Sequence, residues 1–350
     1  MRKLVTVKTI DQITPIPDAD RIEVARIDGW NVVVGKDQHH VGEKVAFFEI
    51  DSFLREDLPR FEQFQSRGQK AMEVEGVELR GHVLKTIKLR GVYSQGLIMS
   101  LEAVGFNPSE VAELTEGTDI TNIAGALKWE PPLPTSVEII GEFDTRHSPK
   151  TDAVRLQNIV DLWDEIREID WTPTVKVDGT SQTFANFDGK IRVFGRNWEL
   201  DPETSVGLKL ARENGIFEDL EEMGNSSVIQ AELVGPGIQA NSLKLPGKRL
   251  IVFSVWRNGV KLERSEWPAS ALKHSTPILG DEYLPKNFES AEGLIDFVNG
   301  LKGSVSKNVK DEGVVYHPVN PSSVPLELVN SLDRNLNFKV ISNAWLLKNS

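Results

Sequence analysis

Lys176 and Asp178 stand two residues apart in Thr174-Val175-Lys176-Val177-Asp178-Gly179-Thr180-Ser181. Val175 and Val177 alternate with them as in a strand, and Gly179 breaks the pattern. Side chains repeat every second residue along a strand, so the lysine and the carboxylate share one face. Such a lysine acts as a nucleophile only once it has lost its proton, which needs desolvation or nearby positive charge. Four other charged residues interrupt or adjoin strand-like runs. They are Arg196 in Phe194-Gly195-Arg196-Asn197, Glu232 in Ala231-Glu232-Leu233-Val234-Gly235, Glu312 in Asp311-Glu312-Gly313-Val314-Val315, and Lys339 in Phe338-Lys339-Val340-Ile341. A charge in a half-buried strand is unfavourable unless it is paired or meets a ligand. Several in one region point to a single polar site on the face of a sheet.

Composition narrows the chemistry. The chain has 350 residues, 39% hydrophobic and 26% charged, which suits a soluble globular protein of two domains. It contains no cysteine, so disulfides, thiolate metal sites and cysteine nucleophiles are excluded. The six histidines show no metal-ligand spacing. Met1 to Gln12 carries Asp11 and no long apolar run, unlike a signal peptide, and no stretch approaches the roughly 20 apolar residues of a membrane span. A cytoplasmic protein with no membrane partner is expected. The net charge of −12 argues against a surface coated for non-specific nucleic-acid binding. It leaves room for a local basic groove and fits a site that holds divalent cations.

The elements that must position these residues fall into two parts. Residues 1–128 read as short strands separated by turns, with a linker, and about five strands in this length suggest a small closed barrel of the OB type. Arg21 to Ile27 alternates and stops at Asp28-Gly29, a tight-hairpin signal. Phe53 to Arg80 reads as a charged loop insertion. Val83 to Arg90 reads as a strand with Thr86, Lys88 and Arg90 on one face, where Lys88 and Arg90 could track a phosphate backbone, and Ile87 and Leu89 on the other. Ser109 to Leu114 suggests a short helix, and Pro131-Pro132-Leu133-Pro134 a stiff connector. The boundary is placed near Trp129. Residues 129–350 read as an α+β domain. Thr151 to Ile169 has helical spacing, with Asp152 as its cap and Arg155 near its start. A helix is expected over Ser205 to Met223 and another from Ser290 to about Leu301, with hairpin turns at Asp188-Gly189 and Asn258-Gly259.

Taken in order, these segments resemble the motifs of the covalent nucleotidyltransferases, the polynucleotide ligases and mRNA capping guanylyltransferases. Lys176-Val177-Asp178-Gly179 is similar to their nucleophile motif, and Arg196 to the arginine that follows it. Glu232 is similar to the motif III glutamate, and Phe253 in Val252-Phe253-Ser254-Val255 to the aromatic that stacks on the purine. Glu312 falls in a segment like motif IV and Lys339 in one like motif V. An OB-like segment placed first, with a chain that stops soon after motif V, resembles one group of bacterial and protist ATP-dependent RNA ligases. Many ligases have Lys-x-Lys in motif V, and Ile341 departs from that pattern; Arg155 and Lys348 are candidates for the missing cation.

The resemblance implies an α+β, ATP-grasp-like nucleotidyltransferase domain of antiparallel sheets with flanking helices, preceded by the OB barrel. It also implies three steps. Lys176 attacks the α-phosphorus of ATP to give a lysyl–AMP phosphoramidate, AMP passes to a 5′-phosphate end of RNA, and a 3′-OH end attacks at a nick to form a phosphodiester. Phosphoryl transfer asks a protein mainly for positioning and charge neutralisation. Asp178, Glu232 and Glu312 would hold a hydrated Mg²⁺ or Mn²⁺, Lys339 and Arg196 would contact α-phosphate and ribose, Gly179 would line the nucleotide, and Phe253 would stack on adenine. The expected partner is RNA or an RNA-containing nicked duplex, and the expected state a monomer. A DNA ligase, a GTP-using capping enzyme and a non-catalytic OB-type RNA-binding protein are the rival readings.

Overall fold

The computed structural model describes residues 3–74, 76–130 and 138–349. They fall into two compact units, Met1–Leu133 with Leu346–Lys348, and Pro134–Trp345 with Asn349. The expected boundary near Trp129 lies a few residues before that division, and the proline run 131–134 lies outside the described residues.

In the first unit, Lys44–Phe48 is the centre of an antiparallel sheet between Val5–Thr9 and Leu97–Ser100. Gln12–Pro15, Ile22–Ile27 and Trp30–Gly35 form a second. The Asp28-Gly29 signal is realised as a hairpin, with Asp28 at φ 49°. Val5, Val7, Ala46 and Phe48 of the first sheet share a core with Leu54, Phe61 and Leu101. Two expectations need correction here. Phe53 to Arg80 is no simple loop. Ser52–Arg55, Lys70–Val74 and Val77–Val83 are strands of a four-stranded sheet, with a 3₁₀ segment at Pro59–Arg67 that buries Phe61 and Phe64. Lys70, Glu73, Glu78 and Arg80 of its hairpin are exposed, so no apolar run marks it. Val83 to Arg90 is not one strand either. The chain leaves the sheet after Val83, Thr86 turns inward to accept from Gln95 Nε2 at 2.9 Å, and Ile87–Leu89 forms a two-stranded ribbon with Val92–Ser94. Ile87 and Leu89 are therefore exposed, at 43% and 37%, and Lys88 lies over the Tyr93 ring at 4.8 Å. Asn107 caps the expected short helix, Pro108–Glu113, in a capping box with Glu110.

The second unit contains two sheets. The larger has seven strands, in the order Ile139–Glu142, Trp198–Leu200, Lys190–Phe194, Thr180–Phe187, Ser227–Val234, Arg249–Arg257 and Val260–Lys261. All its pairings are antiparallel. Asp188 and Gly189 at φ 53° and 73°, and Asn258 and Gly259 at 52° and 76°, make the two hairpin turns that the sequence signals. The expected long helix after Ser205 is two, Val206–Glu213 and Ile216–Met223, because Gly215 takes a left-handed φ of 79° between them. Both pack on this sheet through Leu208, Ala211, Ile216 and Leu220.

The smaller sheet orders Val154–Arg155, Phe338–Ile341, Gly313–Pro318 and Trp171–Lys176. Its core is separate, built on Leu156, Ile166, Trp171, Leu294, Tyr316 and Phe338. Helix Ala291–Val298 lies in that core, capped by Ser290 and ending at Asn299 rather than near Leu301. The predicted helix from Thr151 is corrected: Val154–Arg155 is an edge strand parallel to Phe338–Lys339, two 3₁₀ turns follow, and only Trp163–Glu168 is α-helical. The helical spacing there arises because consecutive short turns put Leu156, Ile159 and Ile166 into one core. Among the described residues no helix is long and apolar enough to cross a membrane.

Candidate active site

Trp171–Lys176 belongs to the smaller sheet and Thr180–Phe187 to the larger. The nucleophile-like stretch is thus the crossing from one sheet to the other, not one continuous strand on a single face. Val175 and Val177 drop into a small apolar cluster with Val234 and Ile251 of the larger sheet and Leu243 and Leu245 of the following loop. Alternation then sends Lys176 and Asp178 to the other side of the crossing. Gly179 is required here for lack of room. A Cβ on it would lie 2.4 Å from Leu233 O and 2.9 Å from Glu232 Cγ.

The acids arrive from both sheets. Lys176 pairs with Gly313, which places Glu312 beside it, and Lys176 Nζ donates to Glu312 Oε2 at 2.8 Å. Gly313 is packed as tightly as Gly179, since a Cβ there would meet Val340 O at 2.1 Å. Glu232 comes from Ser227–Val234, where it alone is not fully buried and lies opposite Ser181. Asp178 accepts from Ser242 Oγ at 2.7 Å.

Electrostatics tie these groups together. Burial alone would push the Lys176 ammonium down, but Glu312, Glu232 and Asp178 outweigh it and hold its proton above the ordinary range. Burial raises Asp178, helped by Glu312 and opposed by the Ser242 hydrogen bond and Lys176. Burial pushes Glu232 up to about 8, with Lys176 opposing and Glu312 and Asp178 adding to it. Mutually repelling carboxylates around one lysine form an all-oxygen donor set, which suits a hard divalent cation. No group of three His, Asp or Glu side chains among the described residues is close enough to ligate one ion directly.

The cations stand around this cluster. Lys339 is opposite Arg155 across the parallel pair and opposite Val315 on its other side. Paired residues leave a sheet on the same face, so Arg155 and Lys339 are neighbours. Ile341 lies opposite Gly313 and is buried at 4% exposure, an apolar contact of the sheet. Arg196 follows the strand Lys190–Phe194, and its Nη2 donates to Asp152 Oδ1 at 2.5 Å. Asp152 thus meets an arginine instead of capping a helix. Phe253 occupies a bulge: Gln230 pairs with Ser254 and Ala231 with Val252, leaving Phe253 without a partner across the ladder. It is the one half-buried residue inside a run of buried ones from Leu250 to Trp256. A bulge re-aims a side chain, and this one turns an aromatic ring out of the core.

A half-buried lysine, acids from two sheets, paired cations and an out-turned aromatic are the groups that covalent nucleotidyl transfer requires. A family profile described as an OB-fold domain matches residues 4–101, and one described as RNA ligase matches residues 169–340. Naegleria gruberi RNA ligase with PPi is similar over 99% of this chain and 99% of that one, at 35% identity and a TM-score of 0.82. The chain belongs to the RNA ligase family. A mutant of the Naegleria gruberi RNA ligase solved with AMP and Mn matches at 35% identity and a TM-score of 0.82, and covers 99% of each chain. Another mutant, solved with ATP and Mn, matches over the same share of each chain at 34% identity and the same TM-score. A sequence search of curated proteins finds no match. The α+β architecture with an OB-fold domain at the N-terminus agrees with the reading from motifs.

Three residues that fasten the surroundings of this candidate site carry no signal in the sequence. Ser242 lies in the Gly- and Pro-containing loop after Gly235, and nothing sets it apart from other loop serines. Gln230 is fully buried, donates to Pro149 O at 3.0 Å and accepts from Trp256 Nε1 at 3.1 Å. It reads in sequence as one more strand residue. Asn335 is treated below. Lys348 groups with the other unit, in the last turn of the C-terminal helix.

Proposed function

We propose that this RNA ligase uses ATP to adenylylate Lys176, transfers AMP to a 5′-phosphate end, and seals it to a 3′-OH end at a nick in an RNA-containing duplex. One observation carries this reading: Lys176 is held where two sheets meet, hydrogen-bonded to Glu312 from one and within the field of Glu232 from the other. The Naegleria gruberi structures with PPi, with AMP and Mn, and with ATP and Mn support ATP as the nucleotide and Mn²⁺ or Mg²⁺ as the metal.

The residues divide the work. Lys176 Nζ first gives a proton to Glu312, to which it is hydrogen-bonded; the free amine then attacks the α-phosphorus, forming the N–P bond while the bond to pyrophosphate breaks, and the second amine proton passes to solvent. Asp178, Glu232 and Glu312 are the residues that would hold the divalent ion. When bound there, such an ion would supply charge neutralisation at the α-phosphate and would weaken the hold of the carboxylates on the Lys176 proton. Lys339 and Arg155, side by side on the small sheet, neutralise phosphate charge. Arg155 thereby takes the part of the cation absent at Ile341. Arg196 contacts ribose or α-phosphate, and Phe253 stacks on adenine. Gly179 lets the backbone pass close over Glu232.

Incubation with ATP labelled at the α-phosphate tests the proposal. The wild-type chain should become covalently labelled and the Lys176→Ala variant should not; label retained in the variant would sink the assignment. Nicked duplexes with RNA or DNA on each side then test the substrate. Sealing should require RNA at the 3′-OH side, and equal sealing of all-DNA nicks would replace RNA by DNA in the proposal.

A further inference from the structure

The segment from Lys150 to Arg155 enters the site as a strap between the two sheets, and its fastening is unusually complete. Thr151 Oγ1 and Ser181 Oγ share a hydrogen bond of 2.9 Å, at the position opposite Glu232. Gln230 Nε2 holds Pro149 O. The firmest hold comes from Asn335, only 6% exposed, in the connection that leads into Phe338–Ile341. Its Nδ2 donates both hydrogens to the strap, to Lys150 O at 2.7 Å and to Asp152 O at 2.9 Å. Its own carbonyl accepts from Lys261 Nζ at 2.8 Å, on the edge strand of the larger sheet. Lys261 Nζ also lies 3.2 Å from His317 Nδ1 and 6.0 Å from the centre of the Trp256 ring. A continuous path therefore runs from the edge of one sheet, through Asn335, to the strap.

The strap ends in the site. Asp152 accepts from Arg196, and three residues on Arg155 takes its register beside Lys339. One amide nitrogen bonded to two carbonyls two residues apart fixes the backbone of Asp152, and hence where its carboxylate can meet a guanidinium. We propose that Asn335 is a positioning residue: by clamping Lys150 O and Asp152 O it aims the Asp152 carboxylate and so sets Arg196 for the nucleotide. This rests on the proposed contact of Arg196 with ATP. Among the described residues the hydrogen bonds of Asn335 reach the strap and Lys261, not the acids or Lys176, so it acts through the strap.

The test is a double-mutant cycle on the full chain, read as kcat and KM for lysyl–AMP formation from α-labelled ATP, with Tm measured alongside. Asp152→Ala should lower kcat/KM by about 10–100-fold, the loss of one hydrogen bond between charged groups, and Asn335→Ala by up to the same factor, since freeing the two strap carbonyls misplaces the Asp152 carboxylate. The double variant should lose no more than the worse single one, since both cut the same path. Losses that multiply, or an Asn335→Ala variant as active as the wild type, would overturn the proposal. Should Asn335→Ala fail to fold, Asn335→Asp takes its place, keeping the shape while removing both donors. Arg196→Ala serves as the control. If it leaves adenylylation unchanged, the nucleotide assignment of Arg196 is wrong and the inference falls with it. If only Arg196→Ala is impaired, the inference alone falls.

Discussion

Lys176 Nζ sits 2.8 Å from Glu312 Oε2, so the acid nearest the candidate nucleophile is also the one that holds its proton. Glu312, Glu232 and Asp178 together outweigh burial and keep the ammonium charged. The Glu312→Gln variant keeps the side-chain shape and removes the charge. The Lys176 pKa should then fall, because burial is left opposed only by Glu232 and Asp178. Lys176 in this variant should react faster than in the wild type with an amine-directed reagent at pH 8, followed by mass spectrometry, while adenylylation by ATP drops sharply. An unchanged Lys176 reactivity would show that Glu312 does not set its protonation.

Glu232 gives a prediction on stability. Its carboxyl is pushed up to about 8 in the folded chain, from 4.5 in ordinary surroundings. Between these values the folded chain keeps a proton that the unfolded chain has lost, so stability falls as pH rises through the window. The contribution is complete below about 4.5 and gone above about 8. Glu232→Gln lacks this titration. Thermal unfolding in a chelating buffer should show the Tm of the variant, relative to wild type, rising steadily from pH 4.5 to pH 8. A difference that is flat with pH would mean that the carboxylate is solvated in the folded chain.

The charged group Lys176, Asp178, Glu232, Glu312 and Lys339 is legible in sequence because each charge falls against an apolar strand pattern of period two. The pattern fixes which residues leave the core, and Val175 and Val177 do fall into one cluster. What it does not reveal is that one stretch of eight residues belongs to two sheets, since alternation continues through the crossing. Helical spacing misleads at Thr151 to Ile169 for a related reason: short 3₁₀ turns and a helix can present the same residues to one core. The strap fastenings at Gln230 and Asn335 are hydrogen bonds between residues 81 and 185 positions apart from their partners, which no local pattern encodes. The bulge that turns Phe253 outward is likewise a property of pairing, not of composition.

Gly179 makes a steric prediction. In Gly179→Ala the new methyl would press on Leu233 O at 2.4 Å and Val234 Cγ1 at 2.8 Å, and backbone oxygen cannot yield as a flexible side chain does. Overpacking of this kind destabilises by about 1–3 kcal/mol. It should also displace Glu232, whose Cγ lies 2.9 Å from the same point, and reduce adenylylation beyond the loss of folded protein. Gly293→Ala is the contrasting case. It lies in helix Ala291–Val298 with its nearest neighbour at 3.7 Å, and should leave Tm unchanged or raise it. Equal Tm losses in the two variants would contradict the close approach at Gly179.

Phe253 separates binding from chemistry. Its ring is half-buried at a bulge while Val252 and Ser254 on either side are buried, so the core does not depend on it as it does on Val252. Stacking of a base on an aromatic ring is worth about 1–3 kcal/mol, so Phe253→Ala should raise the KM for ATP by roughly 5–150-fold. Adenine keeps the same contact while the bond at the α-phosphorus forms, so the interaction is uniform and kcat for lysyl–AMP formation should change far less than KM. Phe253→Trp should restore most of the affinity, because the indole offers a larger face. A Phe253→Ala variant with lowered Tm and unaltered KM would make the ring a packing element and remove it from the nucleotide site.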